Sequence, residues 1–124
     1  MDFYFRDSMH RKFFGDFLKV LNLESTEKKL FSALYLICGS REFELLGRYI
    51  DTGRRIIHLE IFIDSEEFLN MDYPDQELSR LAGALYAGLE CDVNDCFSQF
   101  KGPELKIALT ALELRYQKEN TITD

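Results

Sequence analysis

The chain predicts a mainly α-helical fold: one domain over residues 1–124, a bundle of about five helices with a short hairpin or extended segment near residues 45–63. Apolar residues recur at three-to-four spacing in four separate segments, which is the period of a helix with one buried face. Hydrophobic residues make up 46% of the 124, eleven of them Phe, ample for a single packed core. No repeat of solenoid period and no low-complexity stretch interrupts the pattern.

In the first segment Met9, Phe13, Phe17 and Leu21, with Phe14 and Leu18 beside them, follow the cap candidates Asp7 and Ser8 and predict a helix over about 8–22. Ser25 or Thr26 is expected to cap a second helix carrying Leu30, Phe31, Leu34, Ile37 and Cys38 on one face. That helix should end near Cys38, with Gly39 in a left-handed terminal conformation. Residues 41–63 admit two readings. Phe43, Leu46, Tyr49 and Ile50 suit a short helix followed by an extended run at about 55–62, while Leu45–Asp51, a Thr52-Gly53 turn and Arg54–Ile63 suit a hairpin.

Asp64–Tyr73 is the longest linker candidate. Beyond it Leu78, Leu81, Ala82, Leu85 and Leu89 predict a helix over 74–90, with Pro74 in the first turn, where a missing N–H does no harm. A short turn of helix over Asp92–Phe100, with a cap at Asp92 or Asp95, precedes the Gly102-Pro103 break. Leu105, Ala108, Leu109, Leu112 and Tyr116 then align on a last helix, and Thr121–Asp124 is expected to fray.

Charge is segregated. Residues 1–55 hold ten Lys/Arg against eight Asp/Glu, or +2, and residues 56–124 hold five against fourteen, or −9, so the net −7 belongs to the second half. Glu60, Asp64, Glu66, Glu67, Asp72, Asp75, Glu77, Glu90, Asp92 and Asp95 fall within residues 60–95 with Arg80 as the single base. Such a band repels phosphates and attracts basic protein surfaces, although it also serves as a plain solubilising face. Phe62, Phe68, Met71 and Tyr73 lie among these carboxylates and are expected to supply an apolar interface centre inside a charged rim.

No apolar run approaches the roughly 18–20 residues a bilayer crossing needs, and MDFYFRDSMH lacks the order of a signal peptide, so a cytoplasmic location and no membrane contact are expected. Cys38, Cys91 and Cys96 are odd in number and fit reduced thiols. His10, His58, Cys91 and Cys96 match no compact zinc spacing, and Asp92-Val93-Asn94-Asp95 places Cys96 and Phe97 where a calcium loop requires an oxygen ligand and Gly. No cofactor or metal is expected. Without a phosphate loop or a nucleophile motif, binding is favoured over catalysis, and paired carboxylates such as Glu66-Glu67 read as a solvated face. Arg54-Arg55 with Arg48 and Tyr49 is a small basic cluster amid negative charge, better suited to salt bridges than to direct nucleic-acid contact.

Phe5 through His10 to Phe13-Phe14, then Ala33-Leu34-Tyr35-Leu36, then Arg80-Leu81-Ala82 leading to Leu85-Tyr86 and Gly88, together resemble a family of small uncharacterised proteins carried by mobile elements of Gram-positive bacteria, over roughly residues 5–90. Where that family has a Trp-Gln-Thr step this chain reads Met71-Asp72-Tyr73-Pro74, and Gly102–Asn120 extends beyond the family's pattern. The resemblance implies a phage, plasmid or conjugative-element accessory protein. Small acidic inhibitors of host defence, anti-CRISPR proteins among them, are the functional class that the resemblance implies, and it carries over no site residues.

The expected function is therefore an acidic protein-binding module that occupies a basic, nucleic-acid-binding surface of a host protein. Its contact set is Glu60, Asp64, Glu66, Glu67, Phe68, Asp72, Tyr73, Asp75 and Glu77. The alternatives are a homo-oligomeric module joined through residues 55–63, with Arg54 and Arg55 meeting carboxylates across a dimer, and a small metal-dependent enzyme built on His10 and His58.

Overall fold

A computed structural model describes residues 2–118 and bears out the mainly helical fold: eight helices and one two-stranded antiparallel sheet among the described residues. Thr121–Asp124 lies outside them.

The centre is α2 (Lys28–Gly39), in which every residue from Leu30 to Gly39 is buried. A helix apolar on all sides must be surrounded, and α1 (Ser8–Val20), α6 (Tyr73–Ala87) and α8 (Pro103–Tyr116) pack around it. Ser25 and Thr26 stay outside this helix. Glu27 takes the cap position, and its carboxylate accepts the Glu24 N–H at 3.1 Å, closing the turn before the helix instead of its first turn.

Asp7 caps α1 by accepting the His10 N–H at 2.8 Å. The face that α1 buries carries His10, Phe14 and, just past the helix, Leu21, whereas Met9 is turned to solvent, contrary to the expected stripe. Phe3, Phe5, Phe14, Phe31 and Tyr35 gather with His10 in edge-on and tilted pairs with centroids 4.7–6.2 Å apart, geometries that favour the aromatic quadrupoles. The Tyr35 hydroxyl donates to the Tyr4 carbonyl and ties the N-terminal segment to this cluster.

Gly39 does not adopt the left-handed conformation expected of it; among the described residues Gly88 and Gly102 are the glycines with positive φ. Gly39 is small because of a close approach: a Cβ there would sit 2.8 Å from His10 Cε1 and 3.1 Å from Ile107 Cδ1.

Both readings of residues 41–63 are realised in part. After α3 (Phe43–Gly47), β1 (Ile50–Asp51) and β2 (Ile56–Ile57) form a minimal hairpin with Ile50 opposite Ile57 and Asp51 opposite Ile56. The expected extended run stops there, because α4 (Leu59–Ile63) is a helix. Leu59 and Phe62, three apart, are buried and Ile61 points outward, so the helical period prevails over the alternation of Ile57, Leu59, Ile61 and Ile63.

The supposed linker Asp64–Tyr73 contains a further turn, α5 (Glu66–Leu69), capped by Ser65 accepting the Phe68 N–H at 3.2 Å. Together α3, α4 and α5 raise the expected count of about five helices to eight. Then α6 starts after Asp72 with Pro74 in its first turn and ends at Ala87, three residues short of the expected 90. Gly88, at φ 70°, reverses the chain so that its own N–H reaches the Ala84 carbonyl and that of Leu89 the Gly83 carbonyl. Asp92 caps α7 (Val93–Ser98), accepting the Asp95 N–H at 3.0 Å.

A candidate protein-binding ridge and the acidic cavity beside it

Residues 60–73 cross the surface as two single-turn helices, α4 and α5, leading into the cap of α6. Glu60, Asp64, Glu66 and Asp72 are exposed on this ridge, as is Tyr73. Two other proposed contact carboxylates are half-buried and engaged within the chain. Glu67 accepts the Tyr49 hydroxyl at 2.8 Å, which pushes the Tyr49 pKa up, and lies 3.6 Å from Arg48. Glu77 pairs with Arg80 at 3.1 Å; burial raises its pKa, the Arg80 charge opposes that rise and Asp95 adds to it.

Phe68 and Asp75 are interior residues, 1% and 3% exposed, and cannot meet a partner on the surface. Phe62 and Met71 are buried as well, which removes them from the expected apolar centre. The apolar side chains that do emerge among the carboxylates are Ile61, Leu69 and Tyr73, each more than 60% exposed. Ile61 and Leu69 were missed because the stretch reads as strand and linker in sequence. The signal was the Leu59–Phe62 spacing, which turns Ile61 outward once it is taken as helical.

Asp75 occupies the first turn of α6 and faces the end of α2, where its Oδ1 accepts the Ser40 hydroxyl at 3.1 Å and the Arg41 N–H at 3.2 Å. Glu104, in the first turn of α8 and 9% exposed, accepts Arg6 Nη2 at 2.7 Å. Arg6 Nε and Nη1 are buried without an acceptor. The second oxygens, Asp75 Oδ2 and Glu104 Oε1, accept no hydrogen bond among the described residues and are not sealed from solvent. Both residues line a cavity of about 300 Å³ with Arg41, Asp72, Tyr73 and Pro74. It adjoins the exposed carboxylate and ring at the end of the ridge.

The remaining candidates have local roles. His10 is buried with both ring nitrogens engaged: Nδ1 accepts the Arg6 N–H at 3.0 Å, which makes Nε2 the donor to the Tyr35 carbonyl at 2.8 Å. Burial holds its pKa down at about 4. His58 stands half-buried before α4, and its N–H closes the hairpin onto the Tyr49 carbonyl at 2.8 Å. Cys91 and Cys96 lie near each other, and burial pushes both thiols up, away from the thiolate that metal binding or nucleophilic attack requires. Among the described residues no three His, Cys, Asp or Glu side chains gather closely enough to hold a metal ion.

The basic cluster is spent inside the chain. Arg55 reaches Glu27 at 2.9 Å and the Leu21 carbonyl at 3.1 Å, Arg54 lies 4.0 Å from Asp51, and Arg48 faces Glu67. No helix among the described residues is long and apolar enough to cross a membrane.

Comparison with protein-family models, curated proteins and solved structures finds no match.

Proposed function

We propose that the chain is a protein-binding module whose 60–73 ridge docks on a basic surface of another protein, and that it acts as an inhibitor by covering that surface. The observation that carries this reading is the mixture on the ridge: Ile61, Leu69 and Tyr73 exposed among Glu60, Asp64, Glu66 and Asp72, with no Lys or Arg from residue 56 to 79. Fully burying a large apolar side chain is worth about 1.5–3 kcal/mol, whereas an exposed ion pair is worth roughly 0–1 kcal/mol and is screened by salt. The apolar trio therefore supplies the affinity, and the carboxylates select a cationic partner and speed encounter.

A groove that holds nucleic acid is lined with Lys and Arg, and the resemblance to mobile-element proteins favours a nucleic-acid-binding host-defence protein as the partner. The test is capture of the tagged protein from a bacterial lysate at low salt, with a parallel high-salt wash. A stoichiometric basic partner released by salt supports the reading; recovery of the chain alone under both conditions opposes it.

A second reading, self-association, is favoured by a different surface from residues 55–63. Leu105, Leu109 and Tyr116 are 38%, 47% and 62% exposed, and with Leu112 they follow a four-three-four spacing along one side of α8. Mass measurement across a concentration series decides it, since a strict monomer removes this reading.

A further inference from the structure

We infer that Cys91 and Cys96 are a disulfide-forming pair, a site of reversible oxidation by a small-molecule disulfide of the glutathione class that locks the turn between α6 and α7. Asp92 caps α7, and the residue before a cap and the fourth residue of its helix lie side by side, the two positions that ordinarily hold an apolar staple. In this chain they are Cys91 and Cys96. The turn that brings them together is fixed twice, by the Asp95 N–H on the Asp92 carboxylate at 3.0 Å and by the Cys96 N–H on the Asp92 carbonyl at 2.9 Å. Both thiols are free, and their sulfurs are within hydrogen-bonding reach of each other.

The two differ in access. Cys91 is half-buried, whereas Cys96 is 0% exposed, with its Sγ 3.5 Å from the Glu77 carbonyl oxygen. An incoming disulfide therefore meets Cys91 first. Cys91 gives its proton to solvent and attacks one sulfur of the reagent, so that the reagent's S–S bond breaks, a mixed disulfide forms and one thiolate leaves. Cys96 then gives up its proton and attacks the Cys91 sulfur, releasing the second thiolate. The two protons end on the two departed thiolates: two cysteine thiols are oxidised to one disulfide, and one reagent disulfide is reduced to two thiols. Burial disfavours both cysteine thiolates, so exchange is slow, but the second step joins neighbours within one chain and the mixed disulfide does not persist. Cys38, buried in α2, takes no part, and the odd count of three resolves into a pair and a core residue.

The experiment brings the full chain to equilibrium in glutathione buffers of graded thiol-to-disulfide ratio, quenches with an alkylating reagent under denaturing conditions, and reads the intact mass and the alkylated positions. The expected product lacks two hydrogens, is alkylated at Cys38 alone and carries no glutathione. The equilibrium constant for its formation should be about tenfold greater in buffer than in urea, because the folded turn holds the two thiols together. Cys96→Ala should instead accumulate glutathione on Cys91, while Cys91→Ala should leave the sealed Cys96 unmodified in buffer.

Three alkylated thiols at every ratio, a lasting glutathione adduct on the native chain, or a disulfide that involves Cys38 or a second chain overturns the pair. An equilibrium constant no larger in buffer than in urea overturns it too, since the bond is then what two cysteines at this separation form in any flexible chain.

Discussion

His10 Nε2 donates a 2.8 Å hydrogen bond to the Tyr35 carbonyl oxygen, joining α1 to the interior of the central helix. The bond is made by a neutral imidazole, because Nδ1 is already an acceptor for the Arg6 N–H. The folded pKa of about 4 lies below the ordinary histidine value of 6.5, so between these values the unfolded chain binds a proton that the folded chain refuses. Stability is thus fully present above pH 6.5 and falls as the pH drops toward 4, by about 3 kcal/mol in total at roughly 1.4 kcal/mol per unit. A proton NMR titration of the ring should give a midpoint near 4; a midpoint at the ordinary histidine value contradicts the burial argument.

Gly39→Ala places a methyl group 2.8 Å from His10 Cε1, 3.0 Å from its Nε2 and 3.1 Å from Ile107 Cδ1. His10 cannot retreat without giving up two hydrogen bonds, so overpacking should cost about 1–3 kcal/mol in a urea melt. Gly83→Ala meets mainly the movable end of Leu89, 2.9 Å away, and should cost less. Equal costs at the two positions would show that the histidine bonds do not hold the ring in place.

The Arg6–Glu104 pair, with both side chains 11% exposed, joins the N-terminal segment to α8. Removing one partner leaves a buried charge unpaired, so Arg6→Ala should lose about 3–5 kcal/mol by chemical denaturation. Replacing both with apolar residues, Arg6→Met and Glu104→Leu, should restore most of that loss. A double variant as unstable as the single one would mean that the pair itself, rather than the unpaired charge, carries the stability.

The long elements were legible in sequence because their signals are redundant: α6 has a first-turn proline, an apolar stripe and a terminal glycine. The segment 41–72 was not. Its helices have four or five residues, too few for periodicity to separate helix from strand, and their shape is set by packing of Leu46, Leu59, Phe62 and Phe68 into the core. The negative band was visible as charge, but which carboxylates face solvent depended on that packing. Asp75 illustrates this: its register on α6 turns it inward to Ser40 and the Arg41 amide. No spacing in the sequence linked Asp75 to Glu104, which share a cavity only through tertiary packing.

Exposed ridge carboxylates and exposed ridge apolar groups should act on different rate constants. Neutralising Glu60, Asp64 and Glu66 should slow association and flatten its salt dependence, whereas Leu69→Ala should mainly speed dissociation, as surface plasmon resonance with the captured partner would record. Each substitution should change stability by less than about 0.5 kcal/mol, since these side chains are exposed.

The most direct measurement compares low-salt capture by the native chain with capture by two quadruple variants of equal charge change. One carries Glu60→Gln, Asp64→Asn, Glu66→Gln and Asp72→Asn on the ridge; the other carries Glu24→Gln, Glu42→Gln, Glu44→Gln and Glu113→Gln at exposed positions elsewhere. Loss of the basic partner from the first variant alone is the predicted result. Equal capture by both, or equal loss from both, would contradict a localised ridge and leave the acidic band as a solvated surface.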